Sequence, residues 1–273
     1  MIAGSITSPV TLYECVMDEV AGYETKSGIT LVYSNRALNK DTANEDALAI
    51  IPVNESTLVL AIADGLGGLP AGEQASRTVI ERLVMSLVNM RHDSGTIREA
   101  ILNSIEQANN EILETRSGGA STLVVAEITG TSLRSYHAGD SMIMLMGNRG
   151  LIKYSAIPHS PTGYALESGI INESEAMFHE ERHLISNYIG CPDMRLEMGP
   201  SINMAARDTL LLASDGLSDN LYENEIVELC RKGSMYACSR NMIEECNRYM
   251  SQQAVDRVCR PDDLSFIMFR LRK

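Results

Sequence analysis

The sequence predicts an α+β fold, and three observations carry that expectation. Strand-like runs are grouped in mid-chain with short joints between them, helix pairs stand on either side, and no repeat or Pro/Ser-rich linker divides the 273 residues. The runs at 121–128, 132–138, 142–146 and 151–154 are joined by Thr-Gly, Gly-Asp-Ser and Gly-Asn-Arg-Gly. Parallel strands need crossovers of about a dozen residues or more, so the runs are expected to form an antiparallel meander. Runs of strands followed by runs of helices indicate α+β rather than a doubly wound sheet. One domain over 1–273 is the simplest organisation.

The helices are read from period. From Ala75, the apolar positions Val79, Ile80, Leu83, Val84, Leu87 and Val88 share one face. Ile97, Ile101, Ile105, Ala108 and Ile112 form a second stripe behind a Thr96–Glu99 capping-box pattern. A second pair is expected near 223–232 and 235–253, where Met235, Met242, Cys246 and Met250 keep helical spacing.

Composition narrows the function. The chain is 44% apolar and 22% charged, as a globular protein is, and its net charge of −13 disfavours nucleic acid and anionic membrane surfaces as partners. Six Cys are scattered without a CxxC pair, as reduced thiols are. The first residues, Met1-Ile2-Ala3-Gly4-Ser5-Ile6, carry no basic n-region and no sustained apolar run, and no apolar stretch reaches about 18 residues. A cytoplasmic protein that neither crosses nor binds membranes is the expectation.

Five segments place an acidic residue at the end of a strand-like run. They are Asn44-Glu45-Asp46, Asp64-Gly65, Gly139-Asp140-Ser141, Asp215-Gly216 and Asp262-Asp263. Any one of them alone is a turn signal. Together they can converge on one rim of a sheet, where crowded carboxylates are tolerated only if protonated or bridged by cations. An all-oxygen ligand set suits hard ions such as Mg²⁺ or Mn²⁺. Two such ions roughly 3.5–4 Å apart suit phosphoryl displacement, so the chemistry suggested is hydrolysis of a phosphate ester.

At these residues a family resemblance becomes specific. Ala63-Asp64-Gly65-Leu66-Gly67-Gly68 followed by Ala71-Gly72-Glu73-Gln74-Ala75-Ser76 resembles the first metal motif of the type 2C metal-dependent serine/threonine phosphatases, bacterial branch. Asn44-Glu45-Asp46, Gly119-Ala120-Ser121-Thr122, Gly139-Asp140-Ser141, Ala213-Ser214-Asp215-Gly216-Leu217 and Asp262-Asp263-Leu264-Ser265 occur in the family's order. A stretch from His159-Ser160 to Gly190, about 155–190, is similar to its flap.

The resemblance implies two stacked antiparallel β-sheets flanked by paired α-helices, a four-layer αββα sandwich. It also implies phosphoserine/phosphothreonine hydrolysis by a metal-bridging hydroxide, on a phosphorylated protein that a serine/threonine kinase targets. Asp64 would bridge two ions of Mg²⁺ or Mn²⁺ with the Gly65 carbonyl on one of them, and Asp215 and Asp262 would complete the other shell. Glu45 would reach the second ion through water. Asp140 matches the aspartate that in bacterial members helps hold a third, weaker ion.

Departures qualify the match. The family's phosphate-gripping Arg lies four residues before the Glu of the NED-like motif, where this chain has Asp41; Lys40 beside it could supply a point charge in place of a planar fork. The rival to that role is a solvated loop charge. Leu66 stands where animal members carry a His. The missing Arg is also what an inactive pseudophosphatase, kept as a binding module, would show, whereas retention of Asp64, Asp215 and Asp262 opposes it.

Two unrelated patterns are weaker. His179-Glu180-Glu181-Arg182-His183 matches the zinc-peptidase spacing H-E-x-x-H, with charged residues where a buried helix would be apolar. Gly65-Leu66-Gly67-Gly68 imitates a dinucleotide loop, but Asp64 would oppose a pyrophosphate. His92, His137 and His159 read as isolated structural residues.

Overall fold

The computed structural model describes residues 2–38, 40–66, 70–90, 96–251 and 260–272. Gly67, Gly68, His92 and Cys259 lie outside them.

The chain begins with strands β1 (Ile2–Ser5), β2 (Val10–Tyr13), β3 (Ala21–Glu24), β4 (Gly28–Asn35), β5 (Asp46–Pro52) and β6 (Thr57–Leu66). Helices α1 (Pro70–Asn89) and α2 (Ile97–Thr115) follow. Next come β7 (Ala120–Ser121), β8 (Leu123–Thr129), β9 (Ser132–Ala138), β10 (Met142–Met146) and β11 (Ile152–Ser155). The flap holds α3 (Pro161–Glu167), α4 (Glu173–Phe178) and a 3₁₀ turn at Glu180–His183. After it come β12 (Glu197–Met198), β13 (Ile202–Asn203), β14 (Thr209–Ala213), α5 (Asp215–Ser218), α6 (Glu223–Cys230), α7 (Met235–Ser251) and β15 (Leu264–Leu271).

The strands form two sheets, ordered β1-β3-β4-β15-β14-β10-β11 and β12-β9-β8-β6-β5-β2. Pairing is antiparallel except at one edge, where β1 runs parallel to β3. The expected single meander is corrected here. β8 and β9 pair, but β10 leaves for the other sheet and pairs with β14 and β11. The joint Gly139-Asp140-Ser141 is therefore a crossing between sheets rather than a hairpin, which puts Asp140 on the rim that both sheets share.

Period-two alternation builds the layers. In β5, Leu48 and Ile50 face the other sheet, packing with Leu60, Ile62, Val124, Leu210, Leu212, Ile267 and Phe269. Ala47, Ala49 and Ile51 point the opposite way, onto Val79, Ile80, Leu83 and the Ile101, Ile105 and Ile112 stripe of α2. The small Ala side chains in β5 and β6 let α1 lie close. The other sheet packs Leu31, Tyr33, Leu211, Phe266 and Met268 against Met235, Met242, Cys246 and Met250 of α7. Strands covered on both faces read as continuous apolar runs, which is why they were legible. Truncating an inter-sheet residue such as Leu60 to Ala costs about 2–5 kcal/mol.

The capping box at α2 forms as expected: Glu99 N donates to Thr96 Oγ1 at 3.2 Å, and Thr96 N to Glu99 Oε2 at 2.8 Å. Cys15, Cys191, Cys230, Cys238 and Cys246 are all free thiols. Among the described residues, no helix is long and apolar enough to cross a membrane.

Candidate active site

The acidic segments converge where the sheets meet. Asp46 opens β5 and is the register partner of Asp64 in β6. Asn44 shapes the approach, accepting Asp46 N–H at 2.9 Å and donating to Cys15 O and Ser34 Oγ, each at 2.9 Å. From the facing sheet, the Ser214 hydroxyl donates to Asp46 Oδ2 at 2.9 Å and accepts Ser265 N–H at 3.1 Å. Asp215, next in sequence, is thereby set beside the β5–β6 pair.

The Gly-Ala-Ser-Thr segment fastens Asp64 from the other side. Thr122 N–H donates to Asp64 O at 2.8 Å, Asp64 N–H to Thr122 Oγ1 at 3.1 Å, and Ser121 Oγ–H to Asp64 O at 3.0 Å. Thr122 Oγ1 also lies 2.6 Å from Ser141 Oγ, which ties this segment to the Asp140 turn. Two glycines are demanded by space. A Cβ on Gly65 would sit 2.4 Å from Gly72 O, and one on Gly139, at φ +112°, would sit 2.6 Å from Thr122 Cβ.

The electrostatics follow from crowding. Asp64 and Asp215 are both held well above the usual carboxylate range, by dehydration first and then by other carboxylates: Asp46, Asp215, Asp262 and Asp140 around Asp64, and Asp262, Asp219, Asp140 and Asp46 around Asp215. Asp46 is pushed up to about 8 by burial, with Asp263 and Asp262 adding to it against hydrogen bonds from Ser265 and Ser214. Asp140 is pushed to about 7 by burial and Asp219, and Asp262, the member most open to solvent, to about 6. Asp46 Oδ1 and Asp140 Oδ1 are enclosed without a hydrogen-bond partner. A site of oxygen donors that raises its own proton affinity and leaves two enclosed oxygens unused fits hard divalent cations, so the residues present agree with the expected metal chemistry.

Lys40 is not a solvated loop charge. Its ammonium lies 2.6 Å from Asp263 Oδ2 and 2.8 Å from Glu45 Oε2, and its side chain is 21% exposed. Burial works against the charge, but the bonds to Asp263 and then Glu45 outweigh it and push the pKa up to about 12. Asp263 also accepts Ala37 N–H at 2.8 Å and Glu45 N–H at 2.7 Å. Asp41, the place of the family Arg, is exposed.

Asp46 and Asp263 stand in their sequence motifs without an assigned role, and Asp219 belongs to none of them. Asp219 follows α5 and accepts Arg182 Nε–H of the flap at 2.8 Å, while Arg182 Nη2 donates to Ser218 O at 2.7 Å. Arg260, two residues before Asp262, reaches Asp219 at 3.4 Å. No local pattern marks Asp219, because its partners come from distant segments. The flap is tied at both ends to site-bearing turns: His159 N–H donates to Gly139 O at 3.0 Å, and Ser121 and Ile189 exchange backbone bonds at 3.0 and 2.8 Å. Between flap and cluster lies a cavity of about 190 Å³ whose walls include Asp140, Asp215, Arg182 and Asp219.

The H-E-x-x-H match has no metal geometry, since His179 ends α4 and His183 closes a 3₁₀ turn. His137 and His159, expected to be isolated, stack at 4.4 Å, with His159 Nε2 3.3 Å from Glu197 Oε2. His159 Nδ1 accepts Gly139 N–H at 3.2 Å and Asn187 Nδ2–H at 2.8 Å. The ring proton is therefore on Nε2, facing Glu197, and the lone pair a cation would need is not available there.

A family profile described as protein phosphatase 2C matches residues 35–257. The chain belongs to this family. Protein phosphatase PhpP of Streptococcus pneumoniae is 28% identical over 196 residues, covering 70% of this chain and 79% of that protein. Among solved structures of this family, the Mycobacterium tuberculosis serine/threonine phosphatase PstP/Ppp superposes with a TM-score of 0.72 at 25% identity, over 89% of this chain and 98% of that one. The catalytic domain of a phosphatase PstP in complex with two manganese ions has a TM-score of 0.70 at 24% identity, over the same shares. Both the sandwich expected from the resemblance and the bacterial branch of the type 2C phosphatases are borne out.

Proposed function

We propose that Asp64, Asp215 and Asp262 are the carboxylates through which this metal-dependent serine/threonine protein phosphatase binds its ions and hydrolyses phosphoserine and phosphothreonine. The observation that carries the assignment is the raised proton affinity of Asp64 and Asp215, caused by burial and by one another, with no cationic side chain paired to either among the described residues. Asp64 would be shared by two ions, Mg²⁺ or Mn²⁺, with the Gly65 carbonyl on one and Asp215 and Asp262 on the other; Glu45 would act through water and Asp140 on a weaker third ion. When bound, such ions lower the pKa of a water towards neutrality and supply positive charge for the phosphoryl oxygens.

The chain's own side chains do the rest. Lys40 is a permanent cation at the edge of the cluster, steered by Asp263 and Glu45, and it orients the substrate phosphate in place of the Arg that Asp41 displaces. Asp46 holds Asp64 and Ser214 in register rather than touching substrate. The flap at 155–190 screens the cluster and selects the phosphoprotein, a target of a serine/threonine kinase in the cytoplasm.

Hydrolysis of a phosphothreonine peptide by chelator-treated protein restored with Mn²⁺ tests this. Wild type is expected to recover activity and Asp64→Asn to stay below about 1% of it. Full turnover by Asp64→Asn would overturn the assignment. A pseudophosphatase would have no use for the retained carboxylates.

A further inference from the structure

The cavity between flap and cluster extends beyond Asp140 and Asp215, and its far lining has a character of its own. Met142, Ile157, Pro158, Ala176, Met177 and Leu221 make an apolar floor. Glu167 and Glu173 of the flap and Glu223 at the start of α6 line the same cavity. No Lys, Arg or His pairs with any of these three carboxylates among the described residues. Glu173 accepts the backbone N–H of Glu223, so two of them are held side by side. Glu223 is accordingly raised above its ordinary range, by burial first and then by the Glu173 charge.

The outside of the flap points the same way. Of the eleven large apolar side chains exposed among the described residues, five belong to this segment: Tyr164, Leu166, Ile170, Phe178 and Leu184. Leu166 also lines the cavity that reaches Asp140 and Asp215, and an exposed apolar flap beside such a cavity suits a polypeptide whose phosphorylated side chain has reached the cluster. A long apolar stem fits the floor, and a cationic head complements the carboxylates at its mouth, Glu173 half-buried and Glu167 and Glu223 exposed.

We propose that this cavity is a specificity subsite for the phosphoprotein, which takes a Lys or Arg side chain flanking the phosphorylated residue. The subsite rests on the hydrolytic assignment above and adds a substrate class to it: phosphoserine or phosphothreonine in a basic context. The nearby Arg182 does not oppose it, because its guanidinium is already engaged by Asp219 and the Ser218 carbonyl.

The test compares phosphothreonine peptides carrying Lys, norleucine or Glu at each of the three positions on either side of the phosphorylated residue. Norleucine keeps the stem and removes the charge. At one or two positions Lys is expected to exceed norleucine in kcat/KM by roughly fivefold, with Glu below both. Glu173→Gln/Glu223→Gln is expected to abolish that difference, since Gln keeps the acceptor for the Glu223 N–H but not the charge. The same variant should hydrolyse p-nitrophenyl phosphate, which has no flanking residue, at the wild-type rate.

Equal rates for Lys and norleucine at every position would overturn the subsite, as would a preference that survives the double variant. If wild type sediments as a dimer and shows no preference, the flap surface belongs to a second copy of the chain. Loss of p-nitrophenyl phosphate hydrolysis by wild type itself would instead refute the hydrolytic assignment beneath it.

Discussion

Asp46 sits directly across the β5–β6 ladder from Asp64, so that two carboxylates occupy one register position at the point where the sheets meet. Neither has a cation as partner among the described residues, and burial pushes the Asp46 carboxyl up to about 8. A carboxyl whose folded pKa exceeds its unfolded value binds more protons in the folded state between the two values, and stability falls as pH rises through that window. Metal-free protein is therefore expected to melt at a lower temperature at pH 8.5 than at pH 5, by roughly 5 °C or more. Asp46→Asn should flatten the dependence, since Asn can still accept from Ser214. Thermal unfolding in chelator checks this, and a melting temperature that rises over the same range would contradict it.

Asp215→Asn separates a metal ligand from a turn residue. Removing one charge from the crowded group should leave the metal-free melting temperature equal or higher. Wild type should gain stability with Mn²⁺, by about 2.7 kcal/mol at a hundredfold excess over Kd, and the variant should lose most of that gain. Early unfolding of the metal-free variant would mean that the carboxylate is needed for hydrogen bonding in α5.

Lys40→Ala is expected to raise KM roughly tenfold with a smaller loss in kcat, the pattern of lost uniform binding. Lys40→Arg should keep affinity, since it retains the charge and a donor for Asp263. Equal steady-state kinetics in all three proteins would make Lys40 a structural counter-charge to Asp263 and Glu45 alone.

Asp140→Asn is expected to lower activity and to raise the Mn²⁺ concentration giving half-maximal activity, because the enclosed Asp140 Oδ1 accepts no hydrogen bond and is a free ligand oxygen among the cavity-lining residues. An unchanged Mn²⁺ dependence would reduce Asp140 to a residue of the crossing between sheets.

Much of this architecture was legible in the sequence because burial on both faces writes β5, β6, β14 and β15 as apolar runs, and because α1 and α2 each show one apolar stripe. The acidic ends of those runs marked the cluster. The path of the chain after Ala138 was not legible: a three-residue joint serves a hairpin or a crossing equally well, and only Ile143 and Leu145 packing between the sheets, with Met144 against α6 and α7, decides. Lys40 could not be assigned from spacing either, since its partner Asp263 is 223 residues away. Asp219 was invisible for the same reason, its pairing with Arg182 being made by the folded flap.

The central claim, that this cluster is the divalent-metal centre of a phosphatase, is tested most directly by measuring Mn²⁺ bound per chain in equilibrium dialysis alongside hydrolysis of p-nitrophenyl phosphate. Chelator-treated wild type is expected to be inactive, to take up two ions, and to gain activity as they bind. Asp64→Asn, lacking the shared carboxylate, should bind fewer ions and hydrolyse nothing above background. Full hydrolysis by chelated wild type, or undiminished Mn²⁺ uptake by Asp64→Asn, would contradict it.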